Sequence, residues 1–220
     1  MFKTLNLVFD WSEVWAILIP LFVLAFHRRQ PIFLRPVIYY LWIALFLNLT
    51  GDIIADFQKY LPGWLHGNDP IYNIHSIIRL TCFGLFFYLV GNYFRKRIDI
   101  IIVTVALIFI FINFAFYENF FDEQHLSGNL LAIEAFVLLI YCMRYYLTRL
   151  KMETVGFAGR KDFWVVTGLS VYVVINFFVF LFYVPLLTEN PDLADRMWSI
   201  HNLAYITMCI FIAKAFYEPA

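Results

Sequence analysis

Charged side chains are scarce in this 220-residue chain: Asp, Glu, Lys and Arg make up 15% of it, against about 25% in soluble domains. Hydrophobic residues reach 63%, against about 45 to 50%. That imbalance excludes water as the main solvent. The formal net charge is zero and the charges are segregated by position, so no nucleic-acid partner is indicated. Cysteine is rare too. Cys82, Cys142 and Cys209 are odd in number, fall inside apolar runs and show no CxxC spacing, which points to buried packing rather than a disulfide framework or a zinc knuckle. Gly-rich phosphate loops, nucleophile elbows and Walker motifs are missing, and the Asn48-Leu49-Thr50 sequon lies within an apolar run. Soluble-type enzymology is disfavoured, and no cofactor or metal is expected.

What the chain has in abundance is apolar runs of membrane-crossing length. Seven are drawn, over 11–26, 34–57, 70–94, 99–116, 126–147, 162–187 and 193–216. Most approach the roughly 20 residues that a hydrocarbon core of about 30 Å requires. The expected fold class is therefore all-α, a single seven-transmembrane-helix bundle spanning 1–220. The first run is short and contains Pro20, which leaves an earlier start at Leu7 or Val8 open, with Asp10 in the interface. Asp10 and Glu13 stand at the head of that run and His27, Arg28 and Arg29 follow it, the reverse of a secretory signal, so it is read as a retained span. No connecting loop exceeds about fifteen residues, and no repeat or low-complexity segment is present.

Orientation follows from the basic residues. The loops after spans one, three and five hold Arg28, Arg29, Arg35, Arg95, Lys96, Arg97, Arg144, Arg149, Lys151, Arg160 and Lys161, and Lys214 ends span seven. The opposite side carries Lys3, Lys59 and Arg196, with Asp10, Glu13, Asp69, Glu118, Asp122, Glu123, Glu189, Asp192 and Asp195. Twelve cations against three predict an outward N-terminus and a cytoplasmic C-terminus, and the alternation requires an odd number of spans. Trp11, Trp15, Trp64 and Trp198 near the outer boundary and Trp164 near the inner one read as interfacial anchors.

Polar groups inside the runs are few. Each charged one costs at least about 2.5 to 3.5 kcal/mol at a helix centre, so such groups face a bundle interior and mark a site or a structural pair. Asn48, Asp52 and Asp56 share one face of span two, as His75 and Arg79 do of span three. Asn73, Asn129, Glu134, Ser170, Tyr172, Asn176, His201, Asn202 and Tyr205 complete the set. At 1.5 Å per residue, Asp52 lies about 6 Å below the outer boundary, His75 about 8 Å, His201 about 12 Å, Arg79 about 14 Å, Glu134 about 15 Å and Asn176 about 16 Å. These depths predict an outward-opening polar cavity lined by Asp52, His75, Arg79, Glu134, Asn176, His201 and Asn202, above a dry inner half.

Asp52 and Arg79 are the expected ion pair, because consecutive antiparallel spans usually neighbour each other. Glu134 is left protonated, paired with Arg79, or bonded to His75 or His201. The two histidines are candidates for a pH-sensitive element. His75, His201, Asp52 and Glu134 also form a borderline zinc ligand set, without HxxxH or HExxH spacing. That set is similar to those of seven-span hydrolases of the progestin-receptor and alkaline-ceramidase superfamily, which carry paired histidines on the last span; here the residue four after His201 is Tyr205. A retinal protein needs a lysine in mid-span seven, and the sequence offers Lys214 at its end, which excludes rhodopsin function. Arg149, Lys151, Arg160 and Lys161, around Gly156 and Gly159, form the expected surface for a cytoplasmic partner or anionic lipid headgroups, or simply a solvated loop that sets orientation.

Asp162-Phe163-Trp164 with Gly168 and Tyr172, then Met197-Trp198-Ser199-Ile200-His201-Asn202, open the last two spans. In these motifs the chain resembles the seven-span sensor modules found ahead of bacterial, especially Bacteroidetes, histidine kinases. The likeness is in sequence over 162–216 and only in topology elsewhere. Such modules are normally fused to an output domain, and none follows Ala220. The resemblance implies a standalone seven-helix sensor or receptor-like subunit of the bacterial inner membrane. It would bind a small-molecule ligand at its outer cavity and pass a helix shift to a separate cytoplasmic partner such as a histidine kinase. An intramembrane lipid hydrolase, with metal or without, is the alternative. A small transporter or a purely structural subunit follows, the transporter disfavoured by the lack of inverted repeats and broken helices.

Overall fold

The computed structural model describes residues 9–62, 67–91, 93–120, 126–151 and 160–219. These are helical, without strands among the described residues. In chain order the α-helices are α1 (Ser12–Phe26), α2 (Arg35–Phe57), α3 (Asp69–Val90), α4 (Tyr93–Phe116), α5 (Gly128–Lys151), α6 (Lys161–Glu189) and α7 (Pro191–Tyr217). Short 3₁₀ turns, Ile32–Leu34 and Gln58–Tyr60, flank α2. Five of the helical stretches, those containing α2, α3, α5, α6 and α7, are long and apolar enough to cross a bilayer, which marks the chain as an integral membrane protein. The other two, Ser12–Phe26 and Ile100–Phe116, are apolar but shorter. At 1.5 Å per residue, the 15 residues of α1 reach about 22 Å, less than a hydrocarbon core.

Local chemistry sets the ends. Pro36, Pro70 and Pro191 sit in the first turns of α2, α3 and α7, where a missing N–H costs nothing. The Asn190 side chain accepts from the Leu193 amide at 3.2 Å and caps α7, so α6 and α7 meet in a one-residue corner. The run expected over 70–94 stops short at Val90. Gly91 adopts extended backbone (φ −75°, ψ 156°), and a new helix opens at Tyr93, so Arg95, Lys96 and Arg97 belong to the first turns of α4. Those turns reduce the apolar part of α4 to Ile100–Phe116. Lys3, Asp122, Glu123, Trp64, Gly156 and Gly159 lie outside the described residues.

Packing contacts order the helices. α1 lies against α2 and α7, α2 against α3, α5 against α6, and α6 against α7. α3 also packs directly on α5 and closes a ring of six, leaving α4 outside against α3 and α5. Phe109, Phe111 and Phe116 of α4 are accordingly exposed, as suits a lipid-facing helix. The tightest seam is α6 on α7. A Cβ at Gly168 would sit 2.6 Å from the Phe211 Cβ and 3.1 Å from the Met208 carbonyl oxygen, so only a residue without a side chain allows this approach. Cys142 and Cys209 are buried in the ring and Cys82 is half-buried; all three are free thiols, as their apolar settings imply.

Candidate functional site

Connectivity places the first turns of α1, α3, α5 and α7 at the same end of the ring as the last turns of α2 and α6. Polar side chains from all six ring helices converge in that half. Asn48, His75, Arg79, Glu134, Asn176, His201 and Asn202 are all buried, while Asp52 is half-buried. On α2 the Asn48, Asp52, Asp56 face runs from buried through half-buried to exposed, so it leaves the interior as it approaches the end.

The expected pairing of Asp52 with Arg79 does not form. Arg79 instead takes Glu134: its Nε donates to Oε1, its Nη2 donates to Oε2 at 2.7 Å, and Ser76 Oγ donates to the same Oε2 at 2.5 Å. The guanidinium carbon lies 4.9 Å from the centre of the Tyr172 ring. Because α3 packs on α5, Arg79 reaches across a helix pair that is not consecutive in sequence. Asp52 Oδ2 is buried without a hydrogen-bond partner.

His201 is held at both ring nitrogens, by Asn176 Oδ1 at 2.6 Å and Glu13 Oε1 at 2.7 Å. Asn176 Nδ2 donates to the Tyr172 carbonyl, which fixes the amide orientation and makes Oδ1 the acceptor. His201 Nδ1 therefore carries a proton. The remaining proton lies between Nε2 and Glu13, as imidazolium with carboxylate or imidazole with carboxylic acid. This link ties α1, α6 and α7 together and can move one proton between two atoms. Trp198, expected as an interfacial anchor, stacks on His201 with ring centres 4.9 Å apart and so belongs to this cluster.

A third cluster joins the other two. His75 Nε2 meets the Tyr40 hydroxyl at 3.2 Å, the Tyr40 and Tyr205 hydroxyls lie 3.5 Å apart, and Asn48 Nδ2 donates to the Glu13 carbonyl at 3.2 Å. Asn202 Nδ2 donates to the Phe9 carbonyl and Asn73 Nδ2 to the Phe120 carbonyl. Neither Glu13 nor Tyr40 stands among the site residues expected from the sequence, where Glu13 counts only as an acid of the outer side. The spacing Tyr40, Ala44, Asn48 on one face of α2 was the available signal.

Several buried polar atoms in this half have no hydrogen-bond partner: Ser12 Oγ, Asp52 Oδ2, Asn73 Oδ1, Tyr172 Oη and Asn202 Oδ1. Both asparagine amides are oriented by their donated bonds, so their free atoms are acceptors. Asp10, outside the apolar helices, has its carboxyl pushed up by burial first and then by the charges of Asp56 and Asp195. Acids thus crowd this end.

The proposed zinc set is dispersed. Glu134 is engaged by Arg79 and His201 by Glu13 and Asn176, and among the described residues no three of His, Cys, Asp and Glu come together to hold a metal. At the opposite end, the expected partner surface is largely occupied by internal bonds. Asp162 accepts from Arg149 at 2.5 Å, from Arg160 at 3.0 Å and from Tyr145 at 3.0 Å. Lys161 is buried and donates to Gln30 Oε1 at 3.1 Å, leaving Lys151 exposed. The middle of that loop, 152–159, lies outside the described residues. Comparison of the chain with family models, curated proteins and solved structures finds no match.

Proposed function

We propose that the chain is a seven-span sensor or receptor-like membrane subunit. In this reading the polar half of the ring faces outward and binds a small ligand, and the basic end faces a cytoplasmic signalling protein such as a histidine kinase in a bacterial inner membrane. The observation that carries the reading is the unpaired buried acceptor Asp52 Oδ2 near the acids Asp10 and Asp56, with further unpaired acceptors at Asn73 Oδ1 and Asn202 Oδ1 in the same half. Unpaired buried acceptors are costly and call for donors, and the surrounding negative charge favours a cationic one. The ligand class that fits is a small amine. The resemblance of 162–216 to kinase-linked sensor modules and the excess of cations at the other end support the orientation.

A ligand shifts a bundle only if it binds two arrangements with different affinity. The Glu13–His201–Asn176 link supplies a contact with two proton arrangements that joins three helices. Thermal unfolding in lipid nanodiscs against small amines and polyamines tests the assignment. The expected result is a saturable rise in Tm that disappears in Asp52→Asn. A shift of equal size in wild type and Asp52→Asn overturns the placement of the site, and no shift with any amine overturns the ligand class.

A further inference from the structure

The second polar feature lies at the opposite end of the ring. A crevice of about 860 Å³ opens there between the turn after α1, the start of α6 and the end of α7. Three cations line it, Arg28, Arg29 and Lys161. Arg28 donates from Nε to the Ala25 carbonyl at 3.2 Å and meets no carboxylate; Arg29 has no side-chain partner among the described residues. Lys161 is only 7% exposed, yet its Nζ contacts three neutral oxygens: Gln30 Oε1 at 3.1 Å and the Ala215 and Phe216 carbonyls at 3.4 Å. Glu218, the acid on the crevice wall among the described residues, is taken by Lys214 at 2.6 Å. Among the described residues, three positive charges, one of them buried, therefore converge on a crevice with a single acid, Glu218, which is bonded to Lys214 and acts on Lys161 only through space.

A buried charge whose direct contacts are all neutral dipoles is poorly compensated, and its natural complement is an anion. Guanidinium groups match the planar oxygen pairs of phosphate and hold them bidentately. The rim identifies the source. Phe26 and Tyr217 flank the crevice and are 72% and 60% exposed, as expected of rings that face acyl chains and the headgroup boundary. A cationic cleft opening between membrane helices at that level matches a lipid headgroup in charge, depth and apolar border.

We propose that this crevice holds the phosphate of an anionic phospholipid headgroup, gripped by Arg28 and Arg29 and neutralising Lys161. The site is separate from the polar half of the ring and does not depend on the sensor reading. Occupancy would tie the α1–α2 turn to the ends of α6 and α7, reinforcing the bond from Gln30 Nε2 to the Phe216 carbonyl at 3.0 Å.

Native mass spectrometry of the full chain released from nanodiscs of equimolar phosphatidylglycerol and phosphatidylcholine tests this. Wild type is expected to retain phosphatidylglycerol selectively. In R28Q/R29Q, two lost headgroup cations weaken retention on the order of 20- to 30-fold. Both arginines are exposed and bond no other helix among the described residues, so the variant is expected to fold, which its circular dichroism spectrum checks. R97Q/K151Q removes the same charge from exposed sites outside the crevice and should retain the lipid as wild type does. Equal losses in the two double variants overturn the proposal in favour of diffuse surface attraction. Displacement of the lipid by millimolar inorganic phosphate, with phosphate bound to the delipidated chain at similar affinity, overturns the lipid assignment.

Discussion

Replacing Glu134 with leucine removes the acid that, among the described residues, neutralises Arg79, while roughly keeping the volume of the site. Arg79 is 4% exposed and Glu134 1%, so the guanidinium cannot recover water without opening the ring. Ordinary interhelical hydrogen bonds in membranes contribute only about 0.6 kcal/mol, so loss of geometry alone would scarcely register. An unpaired arginine at helix mid-depth costs about 2.5 to 3.5 kcal/mol, and breaking a buried pair in soluble proteins costs about 3 to 5 kcal/mol. The expected loss for Glu134→Leu is therefore about 3 kcal/mol. Arg79→Met should cost less, because a carboxyl left alone can be neutralised by a proton whereas a guanidinium stays charged. The double variant R79M/E134L should return to within about 1 to 2 kcal/mol of wild type. Unfolding by SDS in mixed micelles, run on all four proteins as a double-mutant cycle, reads these differences. A Glu134→Leu loss below about 1 kcal/mol, or a double variant worse than either single one, would refute the reasoning.

Other outcomes follow from the same packing. Gly168→Ala drives a Cβ into Phe211 and Met208 and should cost about 1 to 3 kcal/mol in the same titration, whereas Gly51→Ala, whose added Cβ would come no closer than 4.0 Å to Ile71, should avoid any such clash. His201→Phe strands Glu13 and Asn176 and should destabilise by about 2 to 4 kcal/mol, with a changed Trp198 emission as the stacked ring is replaced. Asp10 has a raised carboxyl pKa, so the folded state holds its proton more tightly than the unfolded one. Stability from this group is gained as pH falls through the window above 3.8 and lost as pH rises. Asp10→Asn should flatten that part of a pH-stability profile.

The helices were legible because apolar length is a strong signal; most helix ends fall within a few residues of expectation and Gly91 marks the one early stop, while five of the helical stretches are long and apolar enough to cross a membrane. The partners were not. Pairing Arg79 with Asp52 assumed that sequence neighbours are spatial neighbours, and the α3–α5 contact that closes the ring leaves no trace in a single sequence. Arg79 and Glu134 were each identifiable as costly intramembrane groups and their pairing was one of the three states open to Glu134, but only the packing of α3 on α5 selects it. Glu13 escaped notice because an acid near Trp11 reads as interfacial, and the packing of α1 on α7 is what brings it to His201. Lys161 looked like a free surface cation because its acceptors, the Ala215 and Phe216 carbonyls, are backbone atoms at the far end of the chain.

The central claim is that the buried polar half controls the arrangement of the basic end. Electron-spin distance measurements in nanodiscs test it most directly, with labels at Leu150 of α5 and Tyr217 of α7, both exposed, in a Cys82→Ala background. Glu13→Gln breaks the shared-proton link between α1 and α7 without touching either label. The account predicts a second distance population, or a mean shifted by more than about 2 Å, the scale of helix displacements that carry signals. Superimposable distributions in a variant that is merely less stable would contradict it and make the polar cluster interhelical glue.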